Sequence, residues 1–154
     1  MKTLDDYEVG AAEEFGSYRL TRDEVIEFAS RFDPQAFHLD DNAAAANPIF
    51  GRISASGWHT ASATMRMIVD QARQSGGFSM GSPGVEDLRW PQPAYPGDTL
   101  RVRSEVVSKR RSQTREAIGL VKIRTTTLNQ HGETVMSMLS TIIVAADGTK
   151  RAEA

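Results

Sequence analysis

The chain has 154 residues, 40% of them hydrophobic and 25% charged, with a formal net charge of −2. That size holds one compact domain with a real core, and the charge creates no field suited to nucleic acid or an anionic membrane, so small molecules or a second copy of the chain are the expected partners. Cysteine is absent, which excludes a disulfide framework, a thiol nucleophile and a thiolate metal site; no basic start leads into a long apolar run and no stretch reaches ~18 apolar residues, so a soluble cytoplasmic protein is expected.

Thr21 followed by Glu24 has the pattern of a capping box, and Val25, Phe28, Ala29 and Phe32 follow at helical spacing, which predicts a helix over 22–32. Pro34 disfavours helical geometry at Asp33 and so places that carboxylate at an element boundary, free to point into a cavity. Asp40, Asp41 and Asn42 before the alanines 43–46 predict a second, brief helix closed by Asn47 and Pro48, leaving 33–53 mostly loop and short helix. From Ser56 onward, Trp58, Ala61, Met65, Ile68 and Ala72 recur at three- and four-residue steps until Gly76 and Gly77. This predicts one long helix of roughly five turns, with those residues on its apolar face.

The period then changes to two. Residues 85–90 read as a strand, and Pro91, Pro93, Pro96 and Gly97 as a structured connection out of it. Leu100, Val102 and Val106 alternate with charged residues, 117–128 is rich in β-branched residues, and Met136, Met138, Ile142 and Val144 alternate again after a turn at 129–132. A long helix ahead of at least four antiparallel strands buries best inside a curled sheet, an α+β domain occupying the whole chain with its core at about 18–144. The open edge of such a sheet predicts a homodimer.

Three histidines limit the choice of a neutral-pH acid or base. His131 falls in the predicted hairpin turn, where a solvated ring is expected. His59, beside Trp58, reads either as a core residue or as one lining the same cavity as Asp33. His38 follows Asp33 by five residues across Pro34, so carboxylate and imidazole can enter one pocket while Phe37 anchors the loop; a surface carboxylate beside a partly buried histidine is the alternative. Ser56 and Gly57 open the long helix, where unpaired N–H groups and the helix dipole favour a developing negative charge, although a capping serine and a packing glycine explain the same pair. His38, Asp40 and Asp41 also suit helix capping, so no metal is expected.

Three blocks in order, Phe32-Asp33-Pro34-Gln35-Ala36-Phe37-His38-Leu39-Asp40, then Ser56-Gly57-Trp58-His59-Thr60, then residues 91–100 with Pro96-Gly97-Asp98-Thr99, resemble the MaoC-like dehydratase family, which includes R-specific enoyl-CoA hydratases. The resemblance spans about 18–144. It implies a hot-dog fold, a homodimer or dimer of dimers, and an acyl thioester of coenzyme A or a carrier protein as substrate, with no cofactor besides. Carried over to matching positions, it makes Asp33 and His38 the pair that activates water and Gly57, with Ser56 beside it, the donor to the thioester oxygen. Gln35 stands where the family often has Asn and Ala36 where it often has Pro. Arg52, or the run Lys109-Arg110-Arg111 with Arg115, is available to coenzyme A phosphates, and Trp58, Met65 or Trp90 to an acyl chain. A thioesterase on the same fold, or an acyl-thioester-binding subunit without turnover, are the competing expectations.

Overall fold

The computed structural model describes residues 2–147. A 3-10 turn at Leu4–Asp6 precedes strand β1 (Ala12–Arg19). Helices α1 (Arg22–Phe32), α2 (Ala36–Leu39), α3 (Asp41–Ala46) and α4 (Gly57–Ser75) follow, and the chain continues through β2 (Gly81–Arg89), β3 (Thr99–Arg111), β4 (Ile118–Leu128) and β5 (Thr134–Ala145). All strand pairs are antiparallel, in the order β1-β3-β4-β5-β2. β3, β4 and β5 therefore form the expected meander, β1 and β2 are the outer edges, and α4 packs against β1, β3 and β5. The result is the α+β hot-dog arrangement, an antiparallel sheet around one long helix. No described helix is long and apolar enough to cross a membrane.

Leu20, Val25, Met67, Leu100 and Val102 form the centre of the core between helices and sheet. Each such fully buried side chain contributes roughly 1.5–3 kcal/mol. The buried face of α4, however, is not the one that its apolar spacing predicts. His59, Thr60, Ala63, Thr64 and Met67 point inward, while Trp58 and Met65 are 58% and 51% exposed. Thr64 tolerates that position because it is bonded: its Oγ1 donates to Thr60 O at 2.8 Å and lies 2.7 Å from Thr127 Oγ1 on β4. A periodicity that counts Thr and His as polar turns the helix the wrong way.

β1 is the strand that alternation does not reveal. Its pairing with β3 slips between Phe15 and Tyr18, and Gly16, at φ +82, occupies the bulge. A Cβ there would lie 2.6 Å from Met67 Sδ and 3.0 Å from Met67 Cβ. Gly16→Ala is thus both strained and overpacked, and is expected to cost about 2 kcal/mol or more in urea unfolding; an unchanged midpoint would show that Met67 yields freely.

The loop from Pro91 to Asp98 acts as a clamp. Ala94 O accepts from Ala55 N at 2.8 Å just ahead of α4, Tyr95 Oη donates to Phe50 O at 2.8 Å, and Leu20 and the 97–98 turn exchange backbone bonds of 2.7 and 2.9 Å. Asp98 is 7% exposed, its carboxylate accepting from Tyr95 N at 2.9 Å and Gln130 Nε2 at 3.0 Å. The Pro-Gly-Asp turn thereby fixes the segment that leads into α4.

Candidate active site

Asp33 is the C-cap of α1: its N–H still donates to Ala29 O at 2.9 Å, but its φ, ψ of −151°, 66° leave the helix as Pro34 requires. One short turn later α2 carries His38 inward to 4% exposure. Phe37 anchors this turn, stacked on Phe50 at 4.9 Å and edge-on to the His38 ring at 4.5 Å. The two predicted residues meet: His38 Nε2 lies 3.4 Å from Asp33 Oδ2.

Their surroundings define the tautomer of His38 and the charge of Asp33. His38 Nδ1 is 2.6 Å from the backbone carbonyl of Ser54, an oxygen that only accepts, so Nδ1 carries the proton and Nε2 of the neutral ring offers a lone pair. Ser54 escapes sequence reasoning because a main-chain oxygen leaves no residue-type signal. Asp33 Oδ2 accepts from Ser56 Oγ at 2.7 Å and Oδ1 from Gln35 Nε2 at 2.7 Å. Burial pushes the Asp33 carboxyl up, but these two hydrogen bonds and the neighbouring His38 outweigh it and hold the group below its ordinary value.

A carboxylate with a lowered folded-state pKa stabilises the fold above the ordinary carboxylate range, and that contribution disappears as pH falls through the lowered value. Asp33→Asn does not titrate. The difference in unfolding free energy between wild type and this variant is expected to shrink as pH falls from about 5 through the ordinary carboxylate value and on through the lowered one, a trend that urea titrations at each pH would reveal; a constant difference would mean that the carboxylate is not stabilised as an anion.

Ser56 caps α4, accepting from Trp58 N at 3.3 Å while its hydroxyl proton goes to Asp33. Gly57 is the first residue of α4, so its N–H has no intrahelical acceptor. The Trp90 ring covers Gly57 closely: a Cβ there would lie 2.6 Å from Trp90 Cε2. Trp58 meets Trp90 edge-on at 5.2 Å. Arg52 lies on the exposed loop between His38 and α4, its guanidinium 3.8 Å from the centre of the Tyr95 ring.

Other expected candidates are engaged in the fold. Asp40 accepts from Ala43 N at 2.8 Å as the cap of α3, and Asp41 pairs with Arg22 at 2.7 Å. Among the described residues no group of three or more His, Asp or Glu is placed to hold a metal. Lys109 Nζ donates to Leu4 O at 3.1 Å, and Arg111 forks onto Asp147. His131 sits exposed in the turn, its N–H on Asn129 Oδ1 at 2.9 Å.

Glu24 departs from the capping-box reading. Thr21 Oγ1 accepts from Glu24 N at 3.3 Å, but the Glu24 carboxylate turns inward to accept from Tyr18 Oη and to face His59 Nε2 at 3.6 Å. Burial and the Glu24 carboxylate push the Tyr18 phenol up to about 12.

The MaoC-like domain family matches residues 8–127. A solved MaoC-like dehydratase from Rhodospirillum rubrum is 36% identical and superposes with a TM-score of 0.86 over 96% of this chain and 99% of that one. The YdeM protein of Bacillus subtilis is 27% identical over 82% of this chain and 87% of its own. A 61-residue segment, 40% of this chain, is 41% identical to part of the mesaconyl-CoA hydratase of Cereibacter sphaeroides, of which it spans 18%. With its family match and whole-chain superposition, the chain belongs to the MaoC-like domain family.

Proposed function

We propose that this protein catalyses the reversible addition of water to a 2-enoyl thioester, of coenzyme A or of a carrier protein. One observation carries the reading: the His38 Nε2 lone pair and the Asp33 carboxylate, both acceptors, face each other at 3.4 Å. A single water donating one hydrogen to each satisfies both and turns its own lone pair outward, toward an incoming carbon.

The roles follow from basicity. Ser56 and Gln35 reduce the basicity of Asp33, which orients the water while His38 Nε2 takes its proton. The water oxygen bonds to C3, the C2–C3 π pair moves to the thioester oxygen as an enolate, and the Gly57 N–H, not the Ser56 hydroxyl, stabilises that charge, a contribution of roughly 3 kcal/mol. The imidazolium, held beside Asp33, then returns its proton to C2, closing the cycle without a cofactor. Arg52 supplies a cation for substrate phosphates. A second copy of the chain covers the exposed Trp58, Met65, Val85 and Trp90 and the open β2 edge, giving a homodimer.

Membership of the MaoC-like domain family and the partial match to a CoA hydratase support this assignment. Purified protein mixed with crotonyl-CoA tests it: the enoyl-thioester absorbance is expected to fall without release of free thiol. Thiol release would make the protein a thioesterase, and silence across short and medium enoyl chains would leave a binding role.

A further inference from the structure

A second polar group lies one helical turn beyond Ser56. His59 is 3% exposed and stacks on Phe28 at 4.7 Å with an interplanar angle of 9°. Its Nε2 faces Glu24 at 3.6 Å, and Glu24 already accepts the Tyr18 phenol proton. Its Nδ1 is buried without a hydrogen-bond partner among the described residues. This ring borders a cleft of about 340 Å³ between α1 and α4, walled by Phe28, Phe32 and Ala63 with Arg31 and Ser62 also lining it.

The chemistry of the missing partner follows from the tautomer. A carboxylate opposite Nε2 favours the proton there, so Nδ1 presents a lone pair and needs a donor. An alkyl group beside it would leave the buried acceptor unpaired, and a carboxylate would set acceptor against acceptor in a cleft that also holds Glu24 and Glu27. Arg66, a cation of the same cleft, is bound to Asp70 at 2.7 Å. The two carboxylates of the lining are balanced by Arg31 and Arg66, so the fitting donor is uncharged, and a hydroxyl meets the requirement.

The cleft adjoins the segments that carry the pair. Phe32 directly precedes Asp33, and His59 N donates to Ser56 O, the residue whose hydroxyl holds Asp33. One turn of helix is ~5.4 Å, so an acyl chain with C3 at the Asp33–His38 pair reaches His59 within a few carbons.

We infer that the α1–α4 cleft selects acyl thioesters bearing a hydroxyl group beyond C3, with His59 Nδ1 accepting the hydroxyl proton and Glu24, itself held by Tyr18, fixing the His59 tautomer. This inference rests on the enoyl-thioester reading above for the placement of C3. It makes His59 a specificity residue, with no part in proton transfer to or from C2.

Calorimetric titration with unreactive saturated probes tests it. Wild-type protein is expected to bind 6- or 7-hydroxyheptanoyl-CoA roughly tenfold more tightly than heptanoyl-CoA. His59→Phe, which keeps the stack on Phe28 but removes the acceptor, is expected to abolish that ratio, and His59→Gln to restore part of it. Equal binding by the wild type, or a preference that survives His59→Phe, would overturn the inference. The 15N resonance of His59 Nδ1 in the unaltered protein gives a readout independent of variant folding: it is expected to shift with the hydroxylated probe only, and an identical response to both probes would also overturn it. Crotonyl-CoA has no tail to enter the cleft. Its turnover without a hydroxyl preference would remove this inference alone, whereas a hydroxyl preference without turnover of any enoyl thioester would support the cleft assignment and remove the hydratase reading.

Discussion

Asp33→Asn is expected to lower kcat for crotonyl-CoA hydration by about 10³-fold, with a much smaller change in KM. The substitution preserves shape and leaves an oxygen for the Ser56 or Gln35 donor, each at 2.7 Å in the wild type, so the loop from α1 to α2 should hold. What it removes is one of two acceptors facing each other at 3.4 Å. An amide either turns its NH2 toward His38 Nε2 and displaces the water, or holds the water without the charge that stabilises the imidazolium. His38→Ala is expected to cost a similar factor, because the proton then has no acceptor poised over C3. The two residues act on one water, so the double variant should be little worse than either single one. Multiplicative losses would mean separate roles on separate molecules, and a loss below about tenfold in Asp33→Asn would leave the carboxylate a merely structural cap.

The pair was legible because it is local. Five residues, a helix stop at Pro34 and a buried aromatic at Phe37 place both side chains with little help from the rest of the chain. The meander was legible for a similar reason, since β3, β4 and β5 keep the two-residue period and are neighbours in sequence and in space. Where packing between distant elements decides the outcome, the sequence misleads. The inward face of α4 contains Thr64, acceptable in a core only because Thr127 on β4 and a carbonyl of the same helix satisfy it. β1 is disguised by the Gly16 bulge that lets it pass Met67. The Ser54 carbonyl that defines the His38 tautomer has no side-chain signature, and the Tyr18–Glu24–His59 group assembles from β1, α1 and α4. Glu24 even carries a misleading signal, because its spacing from Thr21 matches a capping box that its side chain does not make.

Gly57→Ala is the second variant with a large expected effect. Three atoms of the Trp90 indole lie 2.6, 2.8 and 2.9 Å from the position of an added Cβ, closer than atoms pack, so the ring or the start of α4 must move. Overpacking of this kind costs about 1–3 kcal/mol in stability. The larger consequence concerns catalysis: the Gly57 N–H is the proposed donor to the enolate oxygen, and a displacement near 1 Å at such a donor lowers kcat by about a hundredfold. Backbone chemistry is unchanged in this variant, so any loss reports position. Adding Trp90→Ala removes the obstruction and is expected to recover most of the lost kcat, a non-additive rescue that marks the two residues as coupled. If Gly57→Ala is fully active, the indole yields at no cost to the site and the close approach serves packing alone. If the double variant stays inactive, Trp90 itself contacts the substrate, and the aromatic pair with Trp58 belongs to the acyl-binding surface in place of the support for α4.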